Sequence, residues 1–220
     1  IEGHISSCYL EHKDLEPPFM SLVISGGHTI LLNVNDYGIY DKIAETRDDA
    51  IGEVFDKVAR KLGLSYPGGP NIERLAKFGD EDAIKFPKSR FEDDTLDFSY
   101  SGIKSSVLNY INHCNLKDVE LNKEDICASF QKTSVDMLIE NVEKAFKRYG
   151  GKKLCIVGGV SSNNYLRNRF LSYFKDIEIY YPSKELCTDN GAMIASAAYY
   201  SFLKNGKSDY TLNVSSSVKF

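Results

Sequence analysis

Five groups of residues in this sequence have types and spacings that chemistry could use. Ser25-Gly26-Gly27 lies between two apolar, β-branched runs. Adjacent glycines adopt dihedrals closed to other residues and let a ligand approach the backbone. Consecutive N–H groups at such a tip can form an anion nest, although a glycine turn that merely closes a hairpin reads the same way. Gly158-Gly159 follows another apolar run, and Ser161-Ser162-Asn163 opens the segment after it. Small residues, hydroxyls and a helix N-terminus together suit a phosphate or ribose; Asn163 as an ordinary N-cap accounts for the same letters. Asp49, Glu53 and Asp56 share one helical face, which is either solvated or offers a carboxylate to ligand hydroxyls. Tyr66-Pro67-Gly68-Gly69-Pro70 either turns the chain or brings bare backbone to a ligand. Glu2-Gly3-His4 and Asp189 are the metal candidates, since an imidazole and a carboxylate with open positions suit iron or zinc. His4 and Cys8 stand one helical turn apart, while His12, His28 and His113 add no cluster. Neither a Ser-His-Asp order nor an H-E-x-x-H occurs.

These groups need elements to hold them. Phe19 to Ile24 and Thr29 to Val34 read as a hairpin, and Ile39 to Ala44 as the third strand of a meander. Ile51, Val54, Phe55, Val58, Ala59 and Leu62 recur at helical spacing. Asp48 or Asp49 is expected to cap that helix and Gly63 to end it. A short helix runs through Ile72 and Leu75, and residues 79 to 97 read as a loop. Ile103, Val107 and Ile111 mark a helix, and a longer one spans about Lys123 to Tyr149. Leu154 to Val157, Asn164 to Phe174 and Ile177 to Tyr181 form a βαβ unit, stopped by Pro182. A closing helix follows Cys187-Thr188-Asp189-Asn190. Meander, helices and βαβ together imply a layered α/β fold.

Composition removes several classes of function. The 220 residues are 42% hydrophobic and 12% aromatic, enough for a real core. A net charge of −4 gives no global basic field for nucleic acid or membrane, so an RNA partner would need a local patch. Candidate patches are Lys85-Phe86-Pro87-Lys88-Ser89-Arg90-Phe91, Lys152 with Lys153, and Arg167 with Arg169. Five widely spaced cysteines, without a C-x-x-C, argue against a disulfide framework or zinc knuckle and for a reducing compartment. The longest weakly polar stretch, Gly191 to Leu203, is too short to cross a bilayer.

Read together, the motifs are much more specific. I-E-G-H, V-I-S-G-G-H-T, D-D-A-I-G-E-V-F-D-K, L-G-L-S-Y-P-G-G-P, F-S-Y-S-G-I-K, V-G-G-V-S-S-N and C-T-D-N-G-A-M-I-A occur in this order from Ile1 to about Ala195. The chain closely resembles the tRNA N6-adenosine threonylcarbamoyltransferase family, once labelled as O-sialoglycoprotein endopeptidases. The resemblance implies the α/β actin-like ATPase (ribonuclease H-like) fold. On this reading residues 1–18 are a remnant of an N-terminal lobe. Residues 19–220 are the C-terminal lobe, with a helical insertion at about 64–150.

The implied reaction moves the threonylcarbamoyl group from threonylcarbamoyl-adenylate to N6 of adenosine 37, in tRNAs reading codons that begin with A. The implied adenylate-binding positions are Val23, Ile24, Ser25, Gly26, Gly27, Asp56, Gly69 and Asn163, with Asp49 and Glu53 left to structural duty. The family binds one divalent metal per subunit, Fe(2+) ahead of Zn(2+), through an H-x-x-x-H motif and a later aspartate. His4 matches the second histidine and Asp189 the aspartate. The first histidine would fall directly before Ile1, so a truncated chain is expected, with weak metal binding and impaired activity. Implied partners are the adenylate or an ATP/ADP-like nucleotide, tRNA, a paralogous actin-like subunit and a small ATPase. The implied location is cytoplasmic, with no membrane partner. The competing expectations are an actin-like small-molecule kinase or ATPase, and a non-catalytic docking subunit of the modification complex. A metallopeptidase fits poorly, because no water-activating glutamate stands between zinc histidines.

Overall fold

In this computed structural model, residues 1–89, 91–209, 211 and 213 are described. Five strands form one sheet in the order β3-β2-β1-β4-β5. β1 (Phe19–Ile24), β2 (Thr29–Asp36) and β3 (Ile39–Glu45) make the expected antiparallel meander. β4 (Lys153–Val157) joins β1 in parallel, and β5 (Glu178–Tyr180) joins β4 in parallel.

Every residue of β1 is buried, because both faces of the sheet are covered. Side chains alternate across a strand. Met20, Leu22 and Ile24 therefore enter one core with Leu154 and Ile156. Phe19 and Val23 enter a second core with Cys155 and Val157. The first core is closed by α2 (Ile51–Lys61), α4 (Ser101–Leu116), α5 (Lys123–Tyr149) and α6 (Asn164–Tyr173). Truncating a fully buried leucine such as Leu22 would cost about 2–5 kcal/mol.

The second core is closed by α1 (Glu2–Glu11), on which α7 (Gly191–Asn205) packs. Gly3 to Tyr9 are all buried. A helix covered on two sides carries no amphipathic stripe, and Ser6 and Ser7 break any apolar run. That is why α1 left only the His4/Cys8 spacing in the sequence. A Cβ on Gly3 would lie 3.0 Å from Ile194, so the glycine sets how closely α7 approaches.

Two local expectations change. Neither Asp48 nor Asp49 caps α2, whose N-cap position is Ala50. The Ile51 N–H instead donates to Thr29 Oγ1 at 2.9 Å. Asp48 accepts from the Tyr100 and Ser101 N–H groups, at 2.8 and 3.3 Å, and from the Ser99 hydroxyl, so it serves the start of α4. Burial alone would raise the Asp48 carboxyl, yet these donors hold it below the usual carboxylate range. The second change is that Gly68-Gly69-Pro70 is no free loop: it forms the first turn of α3 (Gly68–Ala76).

The end of α2 matches expectation. Gly63 has φ +75°, its N–H meets the Arg60 carbonyl, and Leu64 N–H meets the Ala59 carbonyl, which is a Schellman motif. Residues 79 to 97 contain no helix or strand among those described. Arg47 ties the segment down through Asp93 and Asp97, and the Asn141 amide does so through the Leu96 and Asp97 carbonyls. All five cysteines are free and buried. No helix among the described residues is long and apolar enough to cross a membrane.

Candidate functional site

Glycine packing at the carboxyl ends of β1 and β4 draws distant segments together. Gly158, directly after β4, has φ +92°, and a Cβ there would lie 2.4 Å from the Ile24 carbonyl oxygen. Only glycine meets both conditions. Gly52 plays the matching part in α2: a Cβ would lie 2.6 Å from the Ser25 carbonyl oxygen. The β1–β2 tip, the first turn of α2 and the loop after β4 therefore converge around a cavity of about 280 Å³.

Four of the eight positions implied for nucleotide binding, Gly26, Asp56, Gly69 and Asn163, line this cavity. They come from four elements separated by up to 137 residues in the chain (163 − 26). Asp56 reaches the wall from α2, and its Oδ1 accepts the Gly68 N–H at 2.7 Å. No described residue donates to its other oxygen. Gly69 stands in the first turn of α3, where amides lack intrahelical acceptors. Val23 and Ile24 are fully buried in β1, and neither lines the cavity. Gly27 is exposed at the tip, and Ser25 is half-buried behind it.

The tip is not an open anion nest. Ser25 Oγ accepts from the Gly27 and His28 N–H groups, at 3.3 and 3.1 Å. Nor is the Asn163 side chain free. Its Oδ1 caps α6 through Leu166 N–H at 2.9 Å, and its amide donates to Gln131 Oε1 at 2.9 Å. The ordinary N-cap reading therefore holds for this side chain, beside its place on the cavity wall.

The rest of the acidic face on α2 is engaged by cations. Asp49 pairs with Lys104 and with Lys57, and Lys57 also reaches Glu53. The hydrogen bonds from Lys104 and Lys57 hold the Asp49 carboxyl below its usual range.

Glu73 is a wall residue that the sequence reading did not nominate. Its Oε1 accepts both the N–H and the side-chain amide of Asn164, at 2.9 and 2.8 Å, and so ties α3 to the start of α6. Its place four residues after Gly69 on α3 was the available signal.

His4 and Asp189, far apart in sequence, meet at 3.3 Å between Nε2 and Oδ1. Thr188, next to Asp189, lines the cavity. Burial lowers the His4 pKa, and Asp189 only partly offsets this. The neutral imidazole is the form that binds metals. His4 Nδ1 is buried without a hydrogen-bond partner, whereas the Asp189 side chain is 90% exposed. One imidazole and one carboxylate fit iron or zinc as donor types. No third His, Cys, Asp or Glu joins them among the described residues.

The basic segments suspected of RNA contact are occupied in part, and Lys85 and Lys152 are exposed. Lys88 pairs with Glu140 at 2.5 Å and Arg169 with Asp136 at 2.6 Å. Arg167 turns inward, donating to the Ser161 carbonyl at 2.6 Å and the Pro182 carbonyl at 2.8 Å, and its guanidinium lies over the Tyr181 ring. Arg90 lies outside the described residues. A larger cavity, about 560 Å³, lies between residues 89–99 and α5. It holds none of the positions implied for nucleotide or metal, and its lining mixes acids with the cations of α5.

Residues 1–196 match the TsaD family, tRNA N6-adenosine threonylcarbamoyltransferase. The chain belongs to this family. It is 56% identical over 215 residues to the tRNA N6-adenosine threonylcarbamoyltransferase of Clostridium perfringens, covering 97% of this chain and 63% of that protein. Identity to the Clostridium botulinum protein of the same name is 52% over 221 residues, covering 100% of this chain and 65% of that one. The chain thus spans 63–65% of the length of these relatives.

Among solved structures, full-length HypF in its phosphate- and nucleotide-bound form superposes with a TM-score of 0.72 at 18% identity, covering 94% of this chain and 43% of that one. The activator of 2-hydroxyisocaproyl-CoA dehydratase from Clostridium difficile, with bound ADPNP, gives a TM-score of 0.53 at 13% identity, covering 97% and 70%. At these identities the likeness is one of fold, and the fold is the α/β actin-like ATPase fold that the motifs implied.

Proposed function

We propose that this chain carries the adenylate cradle of an enzyme that transfers the threonylcarbamoyl group from threonylcarbamoyl-adenylate to N6 of adenosine 37 in tRNA. The observation that carries the reading is the convergence of Gly26, Asp56, Gly69 and Asn163 on one cavity, with Thr188 on its wall and the adjoining Asp189 against His4. Membership of the family supports it.

An acyl-adenylate is already activated, so the protein has mainly to position it and to stabilise charge at its carbonyl. Asp56, with one oxygen fixed by Gly68 N–H, offers the other to a ribose hydroxyl. Gly26 and Gly69 let backbone approach the nucleotide without side-chain obstruction; a Cβ at either would meet nothing within 4 Å. Glu73 and Asn163 hold the α3–α6 side of the cavity in place. His4 and Asp189 would hold a divalent metal in part, Fe(2+) ahead of Zn(2+), and that metal would supply Lewis-acid polarisation of the carbonyl. None of the buried cysteines is needed as a nucleophile. Partner proteins of a tRNA-modification complex and a cytoplasmic setting go with this reading.

The experiment is mass-spectrometric detection of threonylcarbamoyladenosine in tRNA treated with the full-length parent protein and its partners. Product from wild type, and its loss in Asp56→Ala, is the expected result. Phosphorylation of a small molecule with no modified nucleoside would overturn the reading.

A further inference from the structure

The proposed reaction requires RNA to reach the cavity, and of the basic residues suggested by the sequence Lys88 and Arg169 are paired and Arg167 is turned inward. We propose that Tyr66 and Arg60 form a platform for single-stranded RNA at the lip of the cavity. In this platform the Tyr66 ring stacks on a base beside the adenosine to be modified, and Arg60 contacts the backbone phosphate. This rests on the transferase reading and adds a substrate-contacting surface to it.

Tyr66 is 84% exposed. An aromatic left that open normally loses from its hydration, but its support here is unusually firm. The Asn71 side-chain amide donates to the Ser65 carbonyl at 2.9 Å and the Pro67 carbonyl at 3.0 Å, on either side of the ring. Gly68, next along, is fixed to Asp56. The ring is therefore displayed on a loop whose backbone is braced, and the ordering cost left when a flat partner arrives is that of one side chain.

Position gives the ring its use. Tyr66 and Asp56 stand on the wall shared by the 280 Å³ cavity and a neighbouring recess of about 480 Å³. That recess is bounded by Arg60 and Lys57. Lys57 is engaged by Asp49 and Glu53, at 2.7 and 2.9 Å. Arg60 is exposed and has no ion-pair partner among the described residues. A guanidinium and an aromatic face on one recess are what single-stranded RNA uses, one for phosphate and one for a base. A net charge of −4 gives this chain no global attraction for RNA, so contact falls to local groups.

The test uses the full-length parent protein with its partners. Affinity for a fluorescent anticodon stem-loop RNA is read by anisotropy, and affinity for ADP by calorimetry. Tyr66→Ala is expected to weaken RNA binding roughly tenfold, the size of one base–aromatic stack, and to weaken ADP binding, whose cavity it also lines, by much less. Tyr66→Phe keeps the face and is expected to bind RNA like wild type. Arg60→Gln is expected to weaken RNA binding and to lower the salt slope by about one phosphate contact.

RNA binding by Tyr66→Ala equal to wild type overturns the proposal. So does a parallel loss of RNA and ADP affinity, which would assign the ring to the nucleotide. Unchanged RNA affinity with weakened partner assembly also overturns it, in favour of a protein contact. A wild type that forms no threonylcarbamoyladenosine and binds no RNA removes the transferase reading and the platform with it. An active wild type with an unaffected Tyr66→Ala removes the platform alone.

Discussion

Gly26-Gly27 and Gly158-Gly159 occupy matching places, each just beyond the carboxyl end of one of two parallel neighbours, β1 and β4. They are held in opposite ways. The first pair is exposed, and a Cβ on either glycine would touch nothing within 4 Å. Among the described residues its hydrogen-bond support is local, from Ser25 Oγ and the Ser25 N–H to His28 carbonyl bond. The second pair leads into a clamped segment. Gly158 is pressed on Ile24, Arg167 grips the Ser161 carbonyl, Asn163 joins α6 to Gln131, and Asn164 is tied to Glu73. One loop leaves its backbone open to a ligand and the other is packed and pinned on several sides.

Gly158→Ala should break that contrast most severely. Positive φ in a residue with a Cβ, together with a 2.4 Å approach to backbone, predicts a loss of about 2–5 kcal/mol in denaturant unfolding. Gly27→Ala should change stability by less than about 1 kcal/mol, because nothing obstructs the new methyl. An equal cost at the two sites would show that the clamped wall is an illusion of the packing.

Arg167→Met comes next, at about 2–3 kcal/mol. It removes a charged donor from two carbonyls in a half-buried site and loosens the Ser161 and Pro182 segments together. Thermal unfolding would measure this, and a loss below that of an exposed arginine would return Arg167 to the surface role suggested by its charge. Asn163→Ala should cost about 1–2 kcal/mol for the lost cap, while Asn163→Asp, which keeps an Oδ acceptor for Leu166 N–H, should recover most of the capping contribution. A full loss in the aspartate variant would place the weight on the Gln131 contact instead.

Ser25→Ala is the smallest change, below about 1 kcal/mol in stability, since its partners are exposed amides that water can serve. It frees the Gly27 and His28 N–H groups. Nucleotide affinity measured by calorimetry should therefore hold or rise, and a fall of tenfold would show that the hydroxyl itself binds the ligand.

Much of the framework was legible because it is encoded locally. The apolar, β-branched runs of β1 and β2, the helical spacing from Ile51 to Leu62, and the turn after β4 all read correctly, as strand, helix and loop signals act over a few residues. Gly63 could be recognised as a helix stop from its position alone. α1 could not be read, because a helix buried on both sides leaves no amphipathic period. The motifs carried more than the periodicities did: no local rule picks Asp56 from the stripe it shares with Asp49 and Glu53.

What tertiary structure alone decided is which partner each polar group found. Asp48 stands beside α2 in sequence but serves α4, 52 residues away, while α2 takes its donor's partner from Thr29, 22 residues back. Arg167 looked like surface charge and instead pins two loops. His4 and Asp189 meet only because α7 packs on α1. The physical reason is common to all of these. A side chain's tendency toward helix or strand is a property of its neighbours along the chain. A hydrogen bond or ion pair is a property of distance in space, and buried donors take whichever acceptor the packed layers bring within about 3 Å. The sequence by itself determined the elements and the family. The packing of those elements determined that Gly26, Asp56, Gly69 and Asn163 would line a single cavity.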